Sequence, residues 1–213
     1  SLPDMPIELQ PLIPFLIFTG VFSALTSVAY MAAIRKGREL ATRSQWSMPK
    51  LLLSCVVVVG AIGVVVPDVA GLGLQQINQM LDAQFGLGML LVLLAGKIFV
   101  TAYCLNTGFF GGVFGPALFV GAATGAVVAH VAILLGLAPH LSYALPVAAI
   151  AAVGGAVIGA PLTAIMIVIE LTGSYAYGLS AMLCAILCSL LTLRFFGLSY
   201  FDRQLLDRGV DLR

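Results

Sequence analysis

Residues 106–121 read NTGFFGGVFGPALFVG, and this stretch decides how the rest of the chain is read. Gly108, Gly111, Gly112, Gly115 and Pro116 fall close together inside a long apolar sequence. Glycine weakens a helix interior through its backbone freedom, and proline removes a hydrogen-bond donor. Around that break, apolar runs cover residues 12–34, 50–66, 87–104, 114–138, 145–170 and 178–196. Several approach the roughly 20 residues that span a bilayer. Of the 213 residues, 61% are hydrophobic and only 9% charged, whereas soluble domains carry roughly a quarter charged residues. The expected class is an all-α integral membrane protein with broken and tilted transmembrane helices.

The net charge of +1 gives no reason to expect a nucleic acid partner. The placement of charge is more informative. Arg35, Lys36, Arg38, Arg43 and Lys50 lie between the first two apolar runs, and Arg203, Arg208 and Arg213 lie near the end. By the positive-inside tendency, loop 35–50 and the C-terminus are both expected in the cytoplasm, most simply beneath a cell (inner) membrane. Between Asp82 and Glu170 the only formally charged side chain is Lys97. The cysteines at 55, 104, 184 and 188 all sit in apolar runs without metal-ligand spacing, so no metal and no cofactor is expected. The opening Ser1-Leu2-Pro3-Asp4 has no charged n-region or cleavage site. No signal peptide is expected, and the chain reads as part of something longer.

Breakers divide the chain further. Pro49 suits the first turn of a second helix, Pro67-Asp68 stops it, and a short helical piece is expected at 74–81 within a polar link. Gly159-Ala160-Pro161 splits the run 145–170 into two pieces too short to span alone. Irregular backbone at membrane depth is tolerated where it is buried in protein or lines an aqueous cavity. In transporters, half-helix ends of this kind form substrate sites.

Taken as a helix start, Gly111-Gly112-Val113-Phe114-Gly115-Pro116 has a definite chemistry. Pro116 is acceptable in a first turn, where its missing N–H would be unpaired anyway. Gly111, Gly112 and Gly115 are expected to shape the loop, allowing unusual backbone angles and close approach of another group. First-turn amides without intrahelical acceptors at the positive end of a helix dipole can hold an anion without a basic side chain.

Gly112-Val113-Phe114-Gly115-Pro116 fits the G-x-F-x-P signature of the CLC family of chloride channels and proton-coupled chloride transporters. Its neighbours agree in order: Lys97-x-x-x-Thr101, Asn106-Thr107-Gly108, Gly159-Ala160-Pro161-Leu162-Thr163, Ile169-Glu170-Leu171-Thr172-Gly173, Ser199-Tyr200 and Arg208-Gly209. The resemblance runs over essentially all of residues 1–213 and is to the second of the family's two inverted repeats. It implies an anion held by the backbone amides at Val113 and Phe114 and by the Tyr200 hydroxyl. It also implies a homodimer through segments resembling 12–41 and 162–196, and a cytoplasmic tail at 201–213.

The same resemblance implies that the chain needs the absent N-terminal repeat, whose serine-bearing and glutamate-bearing loops have no counterpart here. The expected activity is transmembrane chloride transport, as a voltage-gated-type channel or an H+/Cl− exchanger, with chloride as bound substrate and lipid as surroundings. Catalysis is not expected, because paired carboxylates, HExxH and Ser/His arrangements are missing from the sequence.

Competing readings stay open from the residues alone. A cation-coupled secondary transporter would need intramembrane carboxylates, and only Glu170 offers itself. A non-transporting membrane scaffold would use its glycines for packing, as Gly121/Gly125 and Gly155/Gly159 suggest. Glu170 is expected to be a buried hydrogen-bonding group near Thr172 or Thr163, His130 a packed residue, and His140 a loop residue. Lys97 is a candidate for pore electrostatics or for pairing with backbone carbonyls. Tyr200 could instead belong to an interfacial belt.

Overall fold

A computed structural model describes residues 9–44, 46–109 and 111–207. The prolines at 3 and 6, and Arg208, Gly209 and Arg213 of the expected tail, lie outside the described residues. The chain forms ten α-helices and no strand among those residues. They are α1 (Leu9–Arg43), α2 (Met48–Val65), α3 (Leu74–Leu81), α4 (Leu87–Asn106), α5 (Phe114–Leu134), α6 (Pro139–Ser142), α7 (Ala144–Ile158), α8 (Pro161–Thr172), α9 (Tyr175–Phe196) and α10 (Tyr200–Asp207). A 3₁₀ turn, Pro67–Val69, follows α2.

Six helical stretches are long and apolar enough to cross a membrane, with α6 and α7 forming one of them and the 12-residue α8 too short. The 35 residues of α1 amount to about 50 Å of helix against a hydrocarbon core of about 30 Å. Its basic end therefore reaches well past what the apolar stretch requires. Pro49 stands in the first turn of α2 after the extended Ser47, where its lack of an N–H is harmless.

The breaks follow local chemistry. At the end of α4, Gly108 takes a left-handed φ of 98°, and the Phe109 N–H donates to Cys104 O at 3.3 Å. This is a Schellman closure, which needs a residue without a Cβ at that position. Thr107 completes it by donating its hydroxyl to Tyr103 O at 2.9 Å. The corresponding turn at Gly159, with φ 84°, ends α7, and Pro161 then opens α8.

At the centre, α5 packs along α7 with both helices buried almost throughout. Lipid is as apolar as a leucine side chain, so close van der Waals packing must hold such helices together. Gly121 and Gly125 supply it: a Cβ at Gly121 would stand 2.7 Å from Ala149 O, and one at Gly125 would meet the Pro146 Cα. The small-residue packing expected for this pair is what the structure contains. Gly155 likewise abuts Pro161 of α8, and Gly159 is both a turn residue and closely packed, against Ser199.

A second seam joins α1 to α9. Gly20 lies against Leu187, Cys184 donates its thiol to Leu16 O at 3.1 Å, and Ser27 pairs with Cys188 at 3.6 Å. The two cysteines are packing elements, free and buried. By contrast α2 buries only Cys55 and leaves Leu53, Val56, Val57, Val64 and Val65 exposed.

Glu170 departs from expectation. It is exposed, and Thr172 donates back to Val168 O at 2.7 Å instead of reaching it. The reason is register: α8 turns Ala164, Ile165 and Val168 inward and Leu162, Met166 and Leu171 outward, and Glu170 falls on the outward side. His130 is half-buried and His140 exposed, the latter within the short α6 rather than a loop.

Candidate functional site

Phe114 opens α5, with Val113 as its N-cap in helical angles and Pro116 in the first turn. The Ala117 N–H donates to Val113 O at 3.1 Å, the first intrahelical bond. Helix geometry leaves the Phe114 and Gly115 amides without an intrahelical acceptor, and Pro116 has no N–H to leave. Val113 is buried, Phe114 half-buried, and Gly111 and Gly112 exposed.

Among the described angles, neither Gly112 nor Gly115 has a positive φ, and Gly108 takes one of 98°. What Gly111 and Gly112 contribute is room: a Cβ on either would meet nothing within 4 Å among the described residues. Gly115 has only Leu72 near it, at 3.7 Å.

One side chain from a distant segment bonds to this turn, and a second packs against the cluster that holds Val113. Tyr30 of α1, with no exposed surface, donates its hydroxyl to Val113 O at 3.1 Å. Tyr200 packs half-buried against the cluster containing Val113, Tyr30 and Ile34. One turn further along α1, Ile34 O accepts from Asn106 Nδ2 at 2.8 Å.

Tyr200 is held at its position by a helix cap. Ser199 accepts the Asp202 N–H at 3.2 Å and donates its hydroxyl to Asp202 Oδ2 at 2.7 Å. The Ser199 hydroxyl thus caps the third residue of α10 and is itself held by that residue's carboxylate, with Tyr200 as the first residue of the helix. Arg35 lies 5.6 Å above the Phe196 ring, and Arg38 interacts electrostatically with Tyr200. The basic end of α1 and the start of α10 therefore share one end of the bundle.

Lys97 is occupied elsewhere. Its ammonium, 2% exposed, donates to Gly71 O at 2.6 Å and Val69 O at 3.0 Å, and lies 4.7 Å from the centre of the Phe119 ring. Of its two expected uses, binding of carbonyls is the one with a visible geometry, tying α4 to the 67–73 link.

The sequence reading missed Tyr30 and the role of Asn106. A signal existed for the first: a tyrosine deep in an apolar helix must find a partner for its hydroxyl. Which carbonyl it finds is set by how α1 lies across α5, which no local pattern encodes.

The model of the family described as "Voltage gated chloride channel" matches residues 2–193. The chain belongs to this family. Among its relatives, a H(+)/Cl(-) exchange transporter ClcA of Vibrio cholerae is 35% identical over 113 residues, 52% of this chain and 24% of the relative. A ClcA of Vibrio vulnificus is 28% identical over 198 residues, 86% of this chain and 42% of the relative. A putative chloride channel protein ClcB-like of Ralstonia nicotianae is 33% identical over 171 residues, 78% of this chain and 39% of the relative. The chain thus spans less than half the length of these family members. In fold it is similar to a slow cyanobacterial Cl−/H+ antiporter, with TM-score 0.83 and 20% identity, covering 98% of this chain and 49% of that one. The all-α membrane architecture is that of about half of a family fold.

Proposed function

We propose that this chain is the second half of the membrane domain of a chloride-transporting protein, working as a channel or an H+/Cl− exchanger with the N-terminal repeat it needs. Val113 and Phe114 N–H groups and the Tyr200 hydroxyl hold a dehydrated chloride at the start of α5. One observation supports this: Tyr200, from the far end of the chain, packs against the same apolar cluster that contains Val113, whose carbonyl is bonded by Tyr30. A partial-charge site suits a transported ion, which must be bound and also released.

The exposed side of Gly111 and Gly112 faces the first repeat and the ion path between the two halves. The nearly uncovered α2 contacts that repeat or lipid. Apolar side chains exposed on α8 and α9, such as Met166, Leu171, Met182 and Leu190, belong to a homodimer seam formed with part of α1. Loop 35–50 and α10 face the cytoplasm, following the positive-inside tendency, in a cell (inner) membrane. The reaction is transport and not catalysis, with no cofactor beyond the bound anion. A cation-coupled mechanism finds no support from the family model or from the relatives, which are chloride transporters and channels by name.

Anomalous diffraction from crystals of the full-length protein grown in bromide tests the site. A bromide peak within hydrogen-bond distance of the Phe114 N–H is expected, and an empty break with its amides bonded to protein carbonyls would overturn the reading. Chloride flux from liposomes with and without an opposing pH gradient separates exchanger from channel.

A further inference from the structure

We infer that Tyr30 is a positioning residue for the anion. Its hydroxyl orients and polarises the Val113–Phe114 peptide, whose N–H faces the ion. The inference rests on the anion-site reading above and deepens it. The peptide group joins Val113 C=O and Phe114 N–H in one planar, resonance-coupled unit. A donor on the oxygen draws electron density from nitrogen and makes the N–H a stronger donor on the opposite side. Hydrogen bonds in series strengthen one another by about 10–30% each in condensed phases.

The geometry is suited to that role. Tyr30 Oη stands 3.1 Å from Val113 O and is fully buried, so no solvent competes for the bond. Val113 O also accepts from Ala117 N–H at 3.1 Å, so it takes two donors and its dipole is fixed along α5. The same face of α1, one turn on, accepts Asn106 Nδ2 at Ile34 O. A single helix therefore grips the connection 107–113 at both ends. Its Tyr30 grip lands on the peptide unit used for binding, while its Ile34 grip lands on the preceding helix end.

A purely structural tyrosine would fill the same space, and the two roles separate experimentally. In Tyr30→Phe the ring packing is kept and Val113 O retains its bond from Ala117, so that carbonyl is not orphaned. In the full-length protein, calorimetric titration with sodium chloride should show affinity falling about 1.5- to fourfold, the scale of a 10–30% weaker bond to a charged partner, with little change in thermal midpoint. Incorporation at position 30 of fluorinated tyrosines of rising phenol acidity, titrated below their ionisation, should restore and then exceed the original affinity in the order of donor strength. That series also serves if Tyr30→Phe fails to fold. Unchanged affinity in Tyr30→Phe, or affinity indifferent to fluorination, would overturn the positioning role while leaving the anion site standing. Absence of bromide density at the break in the unsubstituted protein would overturn both.

Discussion

Gly159 packs directly against Ser199: a Cβ at Gly159 would stand 2.6 Å from the Ser199 hydroxyl oxygen. The α7–α8 break and the start of α10 are thus in van der Waals contact, and the residue pressed against the break is the cap that presents Tyr200. Gly159→Ala must overcome both this contact and a φ of 84°. Left-handed backbone costs a residue with a Cβ about 1–2 kcal/mol. Expected are a lower thermal midpoint and weaker halide binding together, by denaturation and calorimetry. Loss of stability with halide affinity retained would show the break to be uncoupled from Tyr200.

Tyr200→Phe removes one hydroxyl and keeps the ring against the apolar cluster that contains Val113. Hydrogen bonds to a charged partner are worth about 1.5–3 kcal/mol. Chloride affinity should fall at least about tenfold with the fold intact. Calorimetry with chloride and bromide checks it, and equal affinity would remove Tyr200 from the site.

Lys97→Met keeps most of the volume but strips the donor from Val69 O and Gly71 O. Leaving buried acceptors unpaired costs about 1–3 kcal/mol. The thermal midpoint should drop, while chloride affinity stays within about twofold. A large affinity loss at unchanged stability would instead assign Lys97 to the ion's electrostatic field.

Gly125→Leu places a side chain where the Cβ alone would meet Pro146 Cα and stand 2.7 Å from Leu145 O. Backbone on both sides leaves nothing to repack, so loss of several kcal/mol and failure to yield folded protein are expected. Gly86→Ala is the matched control, because nothing lies within 4 Å of that position and its φ is −73°. It should express and unfold like the unsubstituted protein, as read by size-exclusion chromatography and thermal denaturation.

What the sequence by itself determined is the class of fold, most helix limits and the break before α5. These depend on near-neighbour physics. Apolar run length decides what can span, Pro49 and Pro161 open helices because they lack a donor, and Gly108 and Gly159 close them because they lack a Cβ. The 74–81 helix within the polar link was legible for the same reason. Tertiary structure alone decided which face of each short helix turned inward and which groups met across the bundle. Glu170 was read as buried, yet α8 seats Ala164 and Val168 against its neighbours and leaves Glu170 outside. Tyr30 on Val113, Asn106 on Ile34 O and Lys97 on Gly71 O join residues from 26 to 83 positions apart. Such pairings depend on the angle and offset at which whole helices pack. Those are set by many small contacts summed along each seam, and no window of neighbouring residues contains that sum.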